Sequence, residues 1–214
     1  MLSIHLAFAM YASRDACAPV MDYNFKPKET PDDFGWYNRG YLPHFDAGLR
    51  PQFITFRLAD SMPQTLLDEW RRTAATDAAF RKLVEAYLDS GYGECWLRDK
   101  LIGKMTQDAL LFHDGSKYTL HAWVVMPNHA HVLLSPLEGV HLPTITHSIK
   151  SYTANEANKL AGRTGQFWQL ESFDRYIRNL RHFVSVIRYI ENNPVKAGLC
   201  SSPEDWPFSS ASFK

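Results

Sequence analysis

Cysteine is scarce: Cys17, Cys95 and Cys200 stand far apart in 214 residues. Three scattered thiols make neither a disulfide framework nor a cysteine zinc site, and they point to a reducing, cytoplasmic compartment. Excess charge of either sign is also missing, with 23 Lys and Arg against 23 Asp and Glu. That weighs against a protein that coats nucleic acid through bulk charge, while leaving room for a local basic groove. Long hydrophobic runs are lacking too. The apolar opening Met1–Met10 is short, has no basic start and runs into Arg14 and Asp15. Neither a secretory signal nor a membrane span is therefore expected. The chain has no P-loop, no dinucleotide-binding glycine pattern and no internal repeat, so chemistry here is not expected to need a nucleotide cofactor.

What is present is an ordinary globular composition, long enough for one sizeable core. The first residues carry prolines and scattered aromatics (Phe25, Phe34, Trp36, Tyr37, Tyr41, Phe45) without a sustained period, and 1–38 reads as an extended arm. One domain is expected over 39–208, with 209–214 as a C-terminal tail. Alternation from Gln52 to Leu58 predicts a strand, and the pattern from Pro63 to Leu88 predicts helix. Asp99 is a fitting N-cap for a helix carrying Leu101, Ile102, Met105, Ala109 and Leu110. Lys117–Met126 and His129–Leu134 read as paired strands joined by Pro127 and Asn128. A helix from Pro143 to Ala161 follows, with Ile145, Ile149, Tyr152 and Leu160 as its apolar side; Gly165–Ile177 looks irregular. The last expected element is a helix over Asn179–Asn192, stopped by Pro194. This order suggests an α+β fold, a small antiparallel sheet with helices on one face.

Three features carry chemistry. His129 and His131 lie two apart in a strand and so emerge on one face, where two imidazoles can share a metal ion. The plain alternative is a pair of histidines on a sheet edge. In the last helix, Leu180, Phe183, Val184, Ile187 and Ile190 form an apolar stripe. Tyr189 falls nearly opposite it, beside His182 and Ser185, with Asn193 one turn on. An exposed tyrosine, or one packed under a loop, is the duller reading. Tyrosine is a poor nucleophile at neutral pH, with a reference pKa of about 10, and needs help of the kind a divalent ion gives to a phosphodiester. Finally, eight basic residues stand against four acidic ones between His147 and Gly198, interleaved with Phe167, Trp168, Phe173 and Tyr176. Cations and aromatic faces together suit single-stranded nucleic acid, although an aromatic core with a basic rim explains each residue as well.

Four segments taken together resemble a known family: Trp123-Val-Val-Met-Pro-Asn-His-Ala-His-Val-Leu133, Gln166-Phe-Trp-Gln169, Phe173-Asp-Arg-Tyr-Ile-Arg178 and Tyr189-Ile-Glu-Asn-Asn-Pro-Val-Lys-Ala-Gly198. In this order they look like the REP-associated tyrosine transposases, the domesticated branch of the bacterial single-tyrosine, His-hydrophobic-His transposases. The resemblance runs from about Arg39 to Phe208; Ala130 is a small version of the hydrophobic middle residue. It implies a ferredoxin-like or RRM-like antiparallel sheet carrying the histidines, with the catalytic tyrosine on a C-terminal helix. It implies Tyr189 as nucleophile and His129, His131 and Asn193 as ligands of Mg²⁺ or Mn²⁺. The substrates it implies are single-stranded hairpins of repetitive extragenic palindromes (REP), held by a monomer or homodimer. Lys150, Arg175, Arg178 and Lys196 are the expected DNA contacts. Tyr152, within the apolar side of its helix, is assigned to the core. His121, His147 and His182 are further candidates for assisting. The rival readings are a hairpin-binding descendant that does not cut, a metal-dependent hydrolase using water, and a sheet-based RNA binder. The last lacks its aromatic signature beyond Phe53 and Trp123.

Overall fold

The computed structural model describes residues 36–38, 43–45 and 48–213. The expected arm therefore lies outside the described residues except for its last three. Those form β1 (Trp36–Asn38), which pairs antiparallel with β2 (Pro43–Phe45) in a small separate sheet. The main sheet is built from β3 (Gln52–Arg57), β4 (Tyr118–Val125), β5 (His129–Pro136) and β6 (Phe173–Tyr176). Its order is β4-β5-β3-β6 with every pairing antiparallel. Helical segments separate β3 from β4 and β5 from β6, which is the split βαβ arrangement of a ferredoxin-like fold. β6 falls in the stretch expected to be irregular. Four residues with two charges in the middle carry too little alternation to announce an edge strand.

Alternation along β3 and β5 sends side chains to two different cores. Ile54 and Phe56 pair with Val132 and Ala130 on one face. There they pack on Ile102 and Leu110 of α3 (Lys100–Leu111) and on Ile145, Ile149 and Ala157 of α4 (Leu142–Leu160). Asp99 caps α3 as expected, accepting from the backbone N–H groups of Leu101 and Ile102. On α4 the buried side runs through Thr153 and Ala157, while Tyr152 is 54% exposed and Leu160 is exposed as well. The expectation that Tyr152 belongs to the core is overturned: the inward face of α4 is that of Ile145, Ile149, Thr153 and Ala157, and Tyr152 lies outside it.

The other face is also covered, beyond the single helical layer expected. Phe53, Ala122, Val124, Met126 and Leu133 pack against Val186 and Ile190 of α5 (Leu180–Lys196). The helical stretch after Pro63 divides into α1 (Gln64–Thr73) and α2 (Asp77–Asp89). Thr76 breaks it, in an extended conformation, its side chain accepting from Ala79 N. Phe80, Val84 and Leu88 of α2 form a third cluster with Met62 and Leu67, and the Phe80 ring reaches Phe173 on β6. Pro194 does not stop α5, which continues to Lys196. Proline's fixed φ suits a helix, and in the last turn its missing N–H costs only one bond. The residues beyond Phe208 are packed rather than trailing. Ser209 bridges Val124 and Ala211 is buried, so the outer edge of β4 is covered.

Candidate active site

The register of β3 against β5 builds the floor of the site. Thr55 lies opposite His131 and Arg57 opposite His129, so all four side chains share the face that α5 crosses. Both histidines are 1% exposed. Each is oriented through its Nδ1: His131 meets Thr55 Oγ1 at 2.9 Å, and His129 meets Asn128 Oδ1 at 2.8 Å. Asn128 is itself fixed, its side-chain amide donating to Tyr92 O. With Nδ1 so engaged, the Nε2 atoms point into the site. His129 Nε2 is buried with no hydrogen-bond partner. Burial, reinforced by the nearby Lys196 ammonium, pushes His129 down to about 3. His131 also sits well below its ordinary value, through burial, His129 and Lys196 in that order. Both imidazoles are therefore neutral at physiological pH, the form that binds metals.

The roof is α5. Asn179 caps it by accepting from His182 N, and the buried line Val186, Ile190, Asn193 sets its rotation on the sheet. Tyr189 sits beside that line, packed edge-on against Phe53 with centroids 5.9 Å apart. The sequence expectation had it nearly opposite the apolar stripe. The stripe was centred too far round, since Leu180 is exposed and Val186 anchors the helix instead. The Tyr189 hydroxyl lies 3.5 Å from His131 Nε2, a long contact rather than a firm hydrogen bond. Burial is the main cause raising the Tyr189 pKa, with the negative charges of Glu85 and Asp89 adding to it. Asn193 stays helical despite the following proline and is 1% exposed, with both amide atoms lacking hydrogen-bond partners. It adjoins His129 and Tyr189.

A buried imidazole nitrogen and a buried amide oxygen, both without partners and beside a second oriented imidazole, form a donor set that fits one divalent cation. Among the described residues no three His, Cys, Asp or Glu side chains gather for a metal, so this mixed set of two nitrogens and an amide oxygen is the candidate.

The expected DNA contacts divide. Lys196 is at the site, its ammonium 5.7 Å from the Tyr189 ring centre and 2.7 Å from Asp89 Oδ2, tying α5 to α2. Arg175 packs its guanidinium over Phe53 and lines, with Tyr189, His182 and Glu85, a cavity of about 320 Å³. Arg178 is exposed just before α5, its N–H donating to His182 Nδ1. Lys150 is not brought in: it sits on α4, across the sheet, donating to the carbonyls of Gln169 and Leu170. His121 lies on the α5 side but far along the strand, bonded to Ser135 and against Phe183. His147 is exposed on α4. Sequence reasoning missed Thr55, Asn128 and Glu85. The Pro-Asn link before His129 was the one signal available for any of them.

Residues 100–193 match the family model described as "Transposase IS200 like". Over that segment the chain is similar to the IS200-like transposases. The match ends on Asn193 and contains the histidine pair and Tyr189. Among curated proteins, the REP-associated tyrosine transposase of Escherichia coli (strain K12) is 30% identical over 94 residues, which is 43% of this chain and 53% of that protein. The chain thus spans about half the length of that relative. A solved REP-associated tyrosine transposase, bound to a REP hairpin, superposes with a TM-score of 0.51 at 22% identity, covering 83% of this chain and 82% of that one. The likeness shows a shared fold. Strand β3 and helix α2, which supply Thr55 and Glu85, lie before the matched segment.

Proposed function

We propose that this IS200-like domain is a single-tyrosine transesterase that cuts and rejoins single-stranded DNA beside palindromic hairpins. The observation that carries the reading is the convergence under α5. A phenol 3.5 Å from one oriented imidazole meets a second imidazole and an amide whose buried polar atoms have no partner. Packing alone gives no reason to bury His129 Nε2 and both Asn193 amide atoms unpaired, at a cost of about 1–3 kcal/mol for each such group.

Tyr189 is the nucleophile. Its ring is held by Phe53, its hydroxyl lies 3.5 Å from His131 Nε2, and the same residue lines the cavity that would receive a phosphodiester. His129, His131 and Asn193 would hold the metal, Mg²⁺ or Mn²⁺. Imidazole donors favour the manganese ion of the two. When bound, that ion supplies charge stabilisation at the phosphate oxygens. Arg175, Arg81 and Lys82 line the same cavity and neutralise the incoming backbone, Lys196 lies over the Tyr189 ring, and Arg178 extends the basic surface at the start of α5. Attack by Tyr189 displaces a 3′-hydroxyl and leaves a 5′-phosphotyrosine, which keeps the energy of the bond for rejoining.

The test is end-labelled single-stranded DNA from the host's extragenic palindromes, mixed with protein and Mn²⁺ and resolved under denaturing conditions. A labelled protein band, lost with Tyr189→Phe and with chelator, is the expected result. Label that is cut but never attached would establish a hydrolase using water. Label that is bound and intact would establish a hairpin-binding protein.

A further inference from the structure

The phenol must lose a proton as its oxygen bonds to phosphorus, and few groups near it can accept one. Asn193 is an amide and Lys196 a cation. His131 Nε2 lies 3.5 Å away, but that lone pair is the one that faces the metal position, and it cannot serve both purposes. The remaining candidates are two carboxylates of α2, and Asp89 is already bonded to Lys196, which leaves Glu85. Glu85 lines the same cavity as Tyr189, and its negative charge acts on the phenol. Its placement is built in: Asp89, one turn further along α2, is bonded to Lys196 at 2.7 Å, and Lys196 lies over the Tyr189 ring. That ion pair ties the end of α2 to the end of α5, one helical turn from Glu85.

We propose that Glu85 is the proton acceptor for Tyr189, a catalytic residue supplied by α2. The assignment rests on the transesterase reading. As the Tyr189 oxygen–phosphorus bond forms, the phenolic proton passes to a Glu85 carboxylate oxygen. The phosphorus–O3′ bond breaks, and the 3′-oxygen leaves with its electron pair and takes a proton from solvent water. In the rejoining step the protonated Glu85 returns its proton to the departing phenolate. Burial raises the Glu85 pKa and so its strength as a base, while Lys196 and Arg175 pull the other way and favour its charged form. This is the balance a general base requires.

Single-turnover adduct formation tests the assignment on the full chain with Mn²⁺ and labelled palindromic single-stranded DNA. Glu85→Gln keeps the shape and removes the base; adduct formation is expected to slow by roughly 10²- to 10³-fold, with hairpin affinity within about twofold of wild type. Glu85→Ala opens space, and added acetate is expected to restore part of its rate, which a purely structural role would not allow. A third measurement needs no turnover. In protein carrying ¹³C at glutamate carboxyls, the Glu85 resonance, identified by its loss in Glu85→Gln, is expected to move on Tyr189→Phe. Wild-type adduct rates in Glu85→Gln, or a Glu85 resonance blind to Tyr189→Phe, overturn the assignment and leave Tyr189 as nucleophile. If wild-type protein forms no adduct, both readings fall together.

Discussion

Replacing Thr55 by valine keeps the shape of the β3 side chain and removes only the hydroxyl that meets His131 Nδ1 at 2.9 Å. The consequence depends on what His131 is doing. Without a metal, the imidazole can move its proton to Nε2 and turn it toward the Tyr189 hydroxyl, so the lost contact is cheap. With a metal on Nε2, the proton must stay on Nδ1, where valine leaves a buried N–H with no acceptor. Such a group costs about 1–3 kcal/mol. Nearly all of that cost falls on the metal-bound state, so Mn²⁺ affinity should drop by roughly 5- to 150-fold. The folded state alone should lose under about 1.5 kcal/mol, the net worth of an ordinary hydrogen bond. Calorimetric titration with Mn²⁺, beside a thermal melt of the metal-free protein, separates the two. An affinity within twofold of wild type would refute the claim that Thr55 fixes His131 as a ligand. A large stability loss with unchanged affinity would assign the hydroxyl to packing.

Two further outcomes follow from groups away from the nucleophile. His121 is pushed down to about 4 by burial, with Asp114 opposing. The unfolded chain takes up a proton near pH 6.5 that the folded chain refuses until about pH 4, so stability falls as pH drops through that window, by about 2–3 kcal/mol at pH 4.5. Urea midpoints at pH 7.5 and 4.5 should show a smaller acid loss in His121→Gln, and equal losses would contradict this. On α3, a methyl at Gly103 would stand 2.7 Å from the Phe208 ring and 2.8 Å from Leu97 O. Gly103→Ala should destabilise by about 1–3 kcal/mol, although alanine is ordinarily the better helix former by about 1 kcal/mol. A melting temperature at or above wild type would show that Phe208 moves aside freely.

How much of this was legible in the sequence depends on distance along the chain. The histidines announce themselves because a strand's period of two puts 129 and 131 together whatever surrounds them. Asn193 follows from Tyr189 through one helical turn, and Asp99 from capping chemistry. Lys196 and Arg175 were readable as charge near the right segments, but Lys150 shows how weak that signal is. On α4 it lies on the far side of the sheet, although its sequence neighbourhood is just as basic. Glu85 was not readable, because it reaches Tyr189 only through the packing of two helices about a hundred residues apart. The rotation of α5 was misjudged for a related reason. Phe183, Ile187 and Leu180 look equally apolar in a list, and only Phe53 and Val124 on the sheet decide that Val186 and Ile190 go inward. The tilt of Tyr189 toward the histidines is a property of the floor as much as of its own helix.

The closeness of Tyr189 to His131 also has a meaning for how copies of this protein can cooperate. Tyr189 and the imidazoles belong to the same polypeptide, and α5 reaches the sheet from which its own chain descends. On the proposed transesterase reading, one molecule therefore holds a whole reaction centre, and association between molecules has no chemical gap to fill. A copy crippled in its tyrosine and another crippled in its histidines have nothing to lend each other. At Val124 the outer edge of β4, where a neighbour's strand would extend the sheet, is already met by the chain's own Ser209. On that reading, any pairing of copies is free to serve the arrangement of two DNA strands rather than the making or breaking of a single bond.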